Sequence, residues 1–430
     1  MKNLKIWFAT FCLAAAFISC ADKKVAAETE ELSAIDFAQT LGLGWNLGNN
    51  LDAWEDATGV AVETAWKNSE ATQKAFDAVA KTGFKSVRIP ITWLGHFGEG
   101  PEYKISEERM NRVAEVVGYA HNAGLKVIIN IHHDGHADGG HADKYTWLKV
   151  QEAAKNDSLN AAIKVQLAAL WTQIANRFKD EGNWLIFETM NEIHDGNWGN
   201  KAAMENAENQ FRVLNEWNQT ALDAIRATGG NNETRYIGIP GYVTQPWLTT
   251  QTLVLPTDKV EGKLMVAVHA YDPWDYAGSG KYSEWGHTST VTDEAGNVMY
   301  QNGEQEYVAM LDNLYNTYIK NGIPVYFGEY ACVHRSDERA ESFRKYYLEY
   351  VVKAMKDRQL VPYYWDNGYE HNRFDPNTDD DVFGLINHTT GEYILDGEEI
   401  CKIMVNAWEN NDSTYTLESV YEKAPMPVAE

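Results

Sequence analysis

Cysteine is scarce in this chain, with four residues in 430, at positions 12, 20, 332 and 401. That excludes a disulfide framework, and no CxxC spacing offers a structural zinc site. Cys332 and Cys401 are expected as buried free thiols. Positive charge is also short: 37 Lys and Arg face 62 acids, for a formal net charge of −25. Nucleic acid phosphates and anionic membrane surfaces would be repelled, so neither is an expected partner. From residue 40 onward no Pro- or Ser-rich linker, low-complexity block or strong internal repeat interrupts the chain, which reads as one large domain. GxGxxG, GxxxxGK[ST] and GxSxG turns are missing as well, which counts against nucleotide binding and a serine-hydrolase elbow.

Aromatic residues are plentiful by contrast. The chain has 15 Trp, 23 Tyr and 14 Phe, within a composition that is 44% hydrophobic and 23% charged, as in a globular protein. Such a surplus without a basic balance suits neutral ligands with flat apolar faces, such as sugars.

The first residues read as an export signal. Lys2 and Lys5 precede a mostly apolar stretch, Ile6 to Ile18, too short to span a bilayer comfortably. It ends in Ser19-Cys20, which resembles a bacterial lipobox with Cys20 as the lipidated first mature residue. An ordinary signal peptide cut nearby is the alternative. The expected organisation is a leader over 1–19, a flexible tether over 20–35 and a catalytic-size domain over 36–430. Membrane contact would be through the anchor alone, in an exported envelope protein, and a monomer is expected.

Short apolar runs alternate with amphipathic segments. Strand-like runs occur at Leu43–Leu47, Ser86–Ile91, Lys126–Ile131, Trp184–Thr189, Tyr236–Ile239, Leu264–His269, Pro324–Phe327 and Pro362–Trp365. Helical patterns lie between them, over 69–82, 106–124, 157–180, 204–228, 303–321 and 336–358, with shorter ones near 245–252 and 396–409. Ser106 is an expected N-cap, with Glu107 and Glu108 suiting the first turn and Gly124 closing the helix. Eight strand–helix units in this length predict an α/β fold, a (β/α)8 TIM barrel, over an open doubly wound sheet.

In that fold chemistry sits where the strands end. Seven of the eight runs stop in polar or aromatic residues: Asn46, Arg88, His132-His133, Asn191-Glu192, His269 with Tyr271, Glu329, and Trp365 with Asn367. Each alone has a structural explanation; seven together point to an active site. Glu192 and Glu329 lie after the fourth and seventh strands and should face each other across the mouth. Paired carboxyl groups suit glycoside hydrolysis: about 5–5.5 Å apart they give retention, and about 6.5–9.5 Å apart inversion. Arg88 and Tyr271 are expected to donate to Glu329, leaving Glu192 protonated beside a second negative charge. Adjacent His132 and His133 must point to opposite faces, which argues against a His-x-His zinc site. His136 and His141 keep a metal conceivable, but no metal or cofactor is expected. Asp379-Asp380-Asp381 reads as a solvated loop.

These motifs, in order, resemble those of glycoside hydrolase family 5. They are Gly44-Trp45-Asn46-Leu47-Gly48-Asn49, Val87-Arg88-Ile89-Pro90, Ile131-His132-His133-Asp134, Asn191-Glu192, His269-Ala270-Tyr271-Asp272, Gly328-Glu329-Tyr330 and Trp365-Asp366-Asn367-Gly368. Subfamily 4 is the nearest likeness. The resemblance implies a retaining endo-β-1,4-glucanase with Glu192 as acid/base and Glu329 as nucleophile. Arg88, His132 or His133, Asn191, His269 and Tyr271 would support the pair, and Trp365 would lie under the sugar on the non-reducing side of the cut. Asn46 and Asn367 are further expected substrate contacts. One departure is visible: where the family often carries Pro after Asn-Glu, this chain has Ile193-His194-Asp195-Gly196.

Long loops carry Trp54, Trp66, Trp147, Trp274, Trp285 and Tyr369, some packing the loops and others lining an open cleft for a polysaccharide. Trp147 and Trp274 are the substrate-binding candidates among them. Plant β-glucans are the implied substrates, with xyloglucan or mixed-linkage glucan favoured. A related mannanase or xylanase, a zinc-dependent barrel hydrolase and a non-catalytic surface glycan-binding lipoprotein are the competing readings. If the lipobox is real, Cys20→Ala moves the protein from the membrane fraction to the soluble one. Unchanged membrane association would remove Cys20 as the anchor.

Overall fold

Each of the eight apolar runs forms a strand. They are β1 (Gly44–Leu47), β2 (Ser86–Ile89), β3 (Lys126–Asn130), β4 (Leu185–Glu188), β5 (Ile237–Pro240), β6 (Leu264–Ala270), β7 (Val325–Tyr330) and β8 (Val361–Asp366). Each pairs in parallel with the next, and β8 pairs back onto β1 to close the barrel. The computed structural model describes residues 32–135, 144–373 and 380–426. Cys20, most of the expected tether, His136, His141 and Asp379 lie outside the described residues. Cys332 and Cys401 are free and buried, as expected.

The helices in chain order are α1 (Ala34–Gln39), α2 (Gln73–Thr82), α3 (Glu107–Asn122), α4 (Val150–Ala153), α5 (Asp157–Arg177) and α6 (Ala207–Ala227). They continue with α7 (Pro246–Thr252), α8 (Trp274–Ala277), α9 (Gly303–Thr317), α10 (Glu338–Lys356), α11 (Gly397–Glu409) and α12 (Leu417–Tyr421). Ser106 caps α3 as expected, its hydroxyl accepting from Arg109 N–H. By contrast α2 starts at Gln73, four residues later than its pattern suggests. The Ala71 and Thr72 amides are already committed, to Glu63 Oε1 and the His388 carbonyl. The fold also begins earlier than expected. Ser33 caps α1 by accepting from Asp36 N–H, so the folded part starts three residues before position 36.

Period-two alternation divides the strand residues into two cores. Trp45, Val87, Ile129, Phe187, Val268 and Phe327 join the large core that also contains the helix faces. The alternate set points into the barrel. Near the strand starts Ile128, Ile186, Met265, Tyr326, Val361 and Tyr363 form a separate apolar cluster, closed beneath by Phe37, Ala38 and Leu41. Phe37 of α1 stacks flat on Tyr236, with ring centroids 3.6 Å apart. One step further along the strands the same parity brings Asn46, Arg88, Asn130 and Glu188, all buried. The interior therefore passes from an apolar floor to a polar upper layer.

One irregularity decides the geometry above that layer. Along β6 and β7 Val268 pairs with Phe327 but His269 pairs with Glu329, and the β7–β8 register shifts over the same stretch. β7 thus carries a bulge at Gly328-Glu329. Without it, alternation from Tyr326 would send Glu329 out toward the helices.

Candidate active site

Arg88 is the centre of the polar layer. It is fully buried and uses every guanidinium donor. Nε and Nη2 reach Glu188, with Nη2 at 2.7 Å from Oε1. Nη1 donates to Asn46 Oδ1 at 3.1 Å and to Glu329 Oε1 at 2.7 Å, and Nη2 also donates to Asn191 Oδ1 at 2.7 Å. Burial alone would lower the guanidinium's pKa; the charges of Glu188 and Glu329 outweigh it and raise it above its ordinary value. Glu188 is pushed up by burial and pulled down further by Arg88, so it lies below the usual carboxylate range.

Glu329 takes its second hydrogen bond from Tyr271, whose hydroxyl lies 2.8 Å from Oε2. Burial and the Glu329 charge hold that phenol well above its ordinary pKa, so Tyr271 is a fixed donor. Both Glu329 oxygens therefore accept, as an ionised carboxylate does. The bulge that aims Glu329 depends on a glycine: a Cβ on Gly328 would stand 2.8 Å from His269 Nε2. The Gly328 carbonyl is held at 2.8 Å by the Asn46 side-chain amide.

Opposite, His269 Nδ1 lies 2.6 Å from Glu192 Oε1 and 3.7 Å from Glu329 Oε2. An oxygen of Glu192, an oxygen of Glu329 and a ring nitrogen of His269 all lie within 4.8 Å of one another. The expectation that Glu192 rests protonated needs correcting. Burial pushes this carboxyl up, but the His269 hydrogen bond and charge pull it below its usual range. The repulsion expected from Glu329 is offset because Arg88 lies against Glu329. Glu192 and His269 instead share the short contact across which a proton can pass.

The histidine doublet does not point to opposite faces as expected: β3 ends at Asn130, strand alternation no longer holds, and the two rings stand edge to face at 83° with centroids 4.3 Å apart. Asn130 Nδ2 lies 3.0 Å from His132 Nδ1, which makes that nitrogen the acceptor and places the ring hydrogen on Nε2, 3.8 Å from Glu329 Oε1. Burial first, then His133 and Arg88, keep His132 well below its ordinary pKa, hence neutral. His133 turns to Asp52, 3.7 Å away, and to the Trp66 ring. His132 is thus the histidine beside the carboxylate pair. Trp365 lies parallel to it, at 6° and 6.0 Å, with 8% of its surface exposed.

Two expected substrate contacts are placed elsewhere. Asn46 has no exposed surface, and its amide serves Gly328, Tyr363 and Tyr364 carbonyls while its oxygen accepts from Arg88. Asn367 is equally buried; its amide donates to the Asp381 carbonyl at 2.7 Å, and its oxygen accepts the Tyr369 and Phe383 N–H groups. Both are scaffold residues. Asp381 also departs from the expected solvated loop, since burial pushes its carboxyl up to about 7.

The loop aromatics divide similarly. Trp54, Trp285 and Tyr369 are buried, whereas Trp274 is 59% exposed beside Tyr271. Trp147 is half-buried, its N–H tied to Asp134 Oδ1 at 2.8 Å and its ring set edge-on to Phe97, so it fastens its loop. Trp198 and Trp247, missed from the sequence, are 49% and 42% exposed.

Three groups among the described residues bring metal-ligand atoms within 4.8 Å of one another. In Asp52–His132–His133, Asn130 occupies His132 Nδ1 and the Asn49 and Asn50 amides occupy the Asp52 oxygens. In the Glu192–His269–Glu329 and His334–Glu341–Asp396 groups, Arg88 and Arg344 already bring a guanidinium to the carboxylates. A cation would meet a competing charge at each of these two.

Glu188 and Asn130 are the functional supports that sequence reasoning passed over. Both stand at the last position of a strand, before the polar residues that draw attention. Their signal is parity: a polar residue in the inward register of Arg88, inside an otherwise apolar run.

Residues 52–371 match the family model described as cellulase (glycosyl hydrolase family 5). Endoglucanase A of Paenibacillus barcinonensis is 34% identical over 374 residues, covering 84% of this chain and 88% of that protein. Among solved structures, a GH5-4 broad-specificity endoglucanase from Bacteroides salanitronis is 52% identical with a TM-score of 0.80, over 87% of this chain and 95% of that one. A family 5 xyloglucanase from Paenibacillus pabuli is 33% identical with a TM-score of 0.75, over 86% and 99%.

Removing one carboxylate from Arg88 should expose how much the site depends on it. Glu188→Gln leaves the buried guanidinium with Glu329 as its one ionic partner, a loss expected to destabilise the fold by about 3–5 kcal/mol. Denaturant unfolding measures this, and glucan hydrolysis should fall with it. A variant as stable and active as the parent would mean that the pair is dispensable.

Proposed function

The chain belongs to glycoside hydrolase family 5, and from that footing we propose that it cuts β-1,4-glucan backbones internally and with retention. The observation that carries the proposal is the carboxylate separation, an oxygen of Glu192 and one of Glu329 lying within 4.8 Å. That upper bound lies below the about 6.5–9.5 Å that inversion needs for its intervening water, which favours retention. Glu329, held by Arg88 and Tyr271, attacks the anomeric carbon. As that bond forms, the glycosidic C–O bond breaks, and Glu192 gives its proton to the departing oxygen. Water then attacks the same carbon, Glu192 takes the water's proton, and Glu329 leaves.

Glu192 Oε1 lies 2.6 Å from His269 Nδ1, the hydrogen bond that orients the carboxyl whose proton is transferred. For the first step that proton must reside on Glu192, and for the second Glu192 must be free of it. His269 is placed to hydrogen-bond Glu192 through both steps. His132 and Trp365 form the wall on the other side of Glu329, suited to the ring whose anomeric carbon is attacked.

For substrate, the xyloglucanase and broad-specificity relatives support a β-glucan cleft that accepts branches. We read xyloglucan and mixed-linkage glucan as the preferred polymers, cut at the cell envelope by an enzyme anchored through Cys20.

Glu329→Gln should abolish hydrolysis, a fall of at least about 10³-fold, while glycan binding stays largely intact. Measurable turnover by this variant would remove Glu329 as nucleophile. Product released first as the β-anomer is the expected stereochemistry; α-product would contradict retention. A hydrolysis panel of xyloglucan, mixed-linkage glucan, carboxymethylcellulose, xylan and glucomannan should show the first two turned over fastest. Mannan- or xylan-type preference would overturn the substrate assignment.

A further inference from the structure

We propose that Thr244 is a positioning residue for Glu192, its hydroxyl turning between the Val243 carbonyl and the Glu192 carboxyl as Glu192 gains and loses its proton. The inference rests on the catalytic reading above. It adds a residue from beyond β5, the strand whose end supplies nothing to the motifs already described. Thr244 stands four residues past that strand and is buried, with 1% of its surface exposed.

The backbone that carries it is held in a costly shape. Val243 and Thr244 stand consecutively in the left-handed region, at φ of 46° and 50°. Both are β-branched, the residue type least suited to this conformation, so the pair persists only where its surroundings impose it. Those surroundings are specific. Val243 N–H donates to the carbonyl of Ile193, the residue after Glu192, at 3.0 Å, and Thr244 N–H donates to the Gly241 carbonyl at 3.0 Å. A Cβ on Gly241 would stand 2.0 Å from Thr249 Oγ1, so the close approach of α7 requires glycine there. Tyr242 is fixed from α6, its hydroxyl donating to Gln210 Oε1 at 2.6 Å. Asn218 of the same helix ties the ends of β4 and β5 together. It accepts from Thr189 Oγ1 at 2.6 Å and donates to the Pro240 carbonyl at 3.0 Å. Strain maintained by this many contacts, beside a reacting group, points to a use for the side chain it presents.

That side chain has one hydrogen to give and two acceptors within reach. Thr244 Oγ1 lies 2.6 Å from the Val243 carbonyl oxygen and 3.4 Å from Glu192 Oε1. With its hydrogen on Val243, the hydroxyl leaves a protonated Glu192 undisturbed. Rotation about the C–O bond alone redirects the hydrogen to Glu192 once that carboxyl is charged, and a long contact of this kind tightens as the reacting groups close up. The other groups facing Glu192 are committed. His269 Nδ1 on β6 holds Oε1, Tyr271 gives its hydrogen to Glu329, and Arg88 on β2 is shared between Glu188 and Glu329. His194, two residues on, accepts the Gly196 N–H, and Glu329 on β7 adds an opposing charge. Thr244 is the uncharged donor that can serve one protonation state of Glu192 and withdraw from the other.

The pH profile of kcat/KM tests this. Losing the donor disfavours ionised Glu192, so its proton is held to higher pH. Thr244→Val keeps the β-branched shape and removes the hydroxyl; on cellohexaose its basic limb should lie about 0.5–1 pH unit above the parent's. Thr244→Gly, which also relieves the left-handed backbone, should show the same displacement. 2,4-Dinitrophenyl β-cellobioside has a leaving group that departs without a proton, so its kcat/KM should change far less. Thr244→Ser restores the hydroxyl and should return the limb to the parent's position. A limb that stays in place, whatever the loss in rate, would make Thr244 a structural residue and overturn the proposal. So would a serine variant that behaves like valine. Glu192→Ala hydrolysing cellohexaose with the parent's profile would overturn the catalytic reading instead.

Discussion

The buried guanidinium of Arg88 is the constraint on which the site depends. Bringing one cation and two carboxylates out of water is unfavourable by several kcal/mol per ion, and only tight geometry recovers it. Here the geometry is complete: every Arg88 donor is used, on Glu188, Glu329, Asn46 and Asn191. Four strands and the β4 loop are thereby fixed relative to one another by a single side chain. Arg88 does not cancel the charge around it. One cation faces Glu188 and Glu329, and a third carboxyl, Glu192, stands across the mouth. A net negative charge fixed in place before substrate arrives suits a reaction whose transition state is a sugar cation.

Much of this arrangement was legible in the sequence because barrel strands obey simple rules. Apolar runs bounded by turns marked all eight strands, and polar residues at their ends marked the mouth. Arg88, His132, Asn191, Glu192, His269, Tyr271 and Glu329 all converge there. Parity would also have found Glu188 and Asn130, since both share the inward register of Arg88. Parity fails for Glu329, which alternation from Tyr326 points outward; the bulge that redirects it is a register event between strands, visible to neither strand alone. Asn46 and Asn367 show the converse error. Asparagine after a strand reads equally well as a sugar contact or as a bracket for backbone carbonyls, and only the partners distinguish them.

The aromatic surplus has two uses that composition cannot separate. Trp285 is fully buried among Tyr276, Tyr346, Tyr347 and Tyr350, fastening the loop after β6 onto α10. Rings of this kind anchor loops that would otherwise fray. Among the described residues the exposed large rings are Trp198, Trp247, Trp274 and Tyr393. Of these, Trp274 stands beside Tyr271 at the mouth, whereas Tyr393 meets Thr82 at the end of α2, away from it.

The apolar floor beneath Arg88 has a mechanical consequence. α1 closes the barrel at the ends where the strands begin, and Ser33 stands at the first turn of that plug. The first turn of the described fold therefore lies on the face opposite the catalytic mouth, beneath the floor that supports the polar layer.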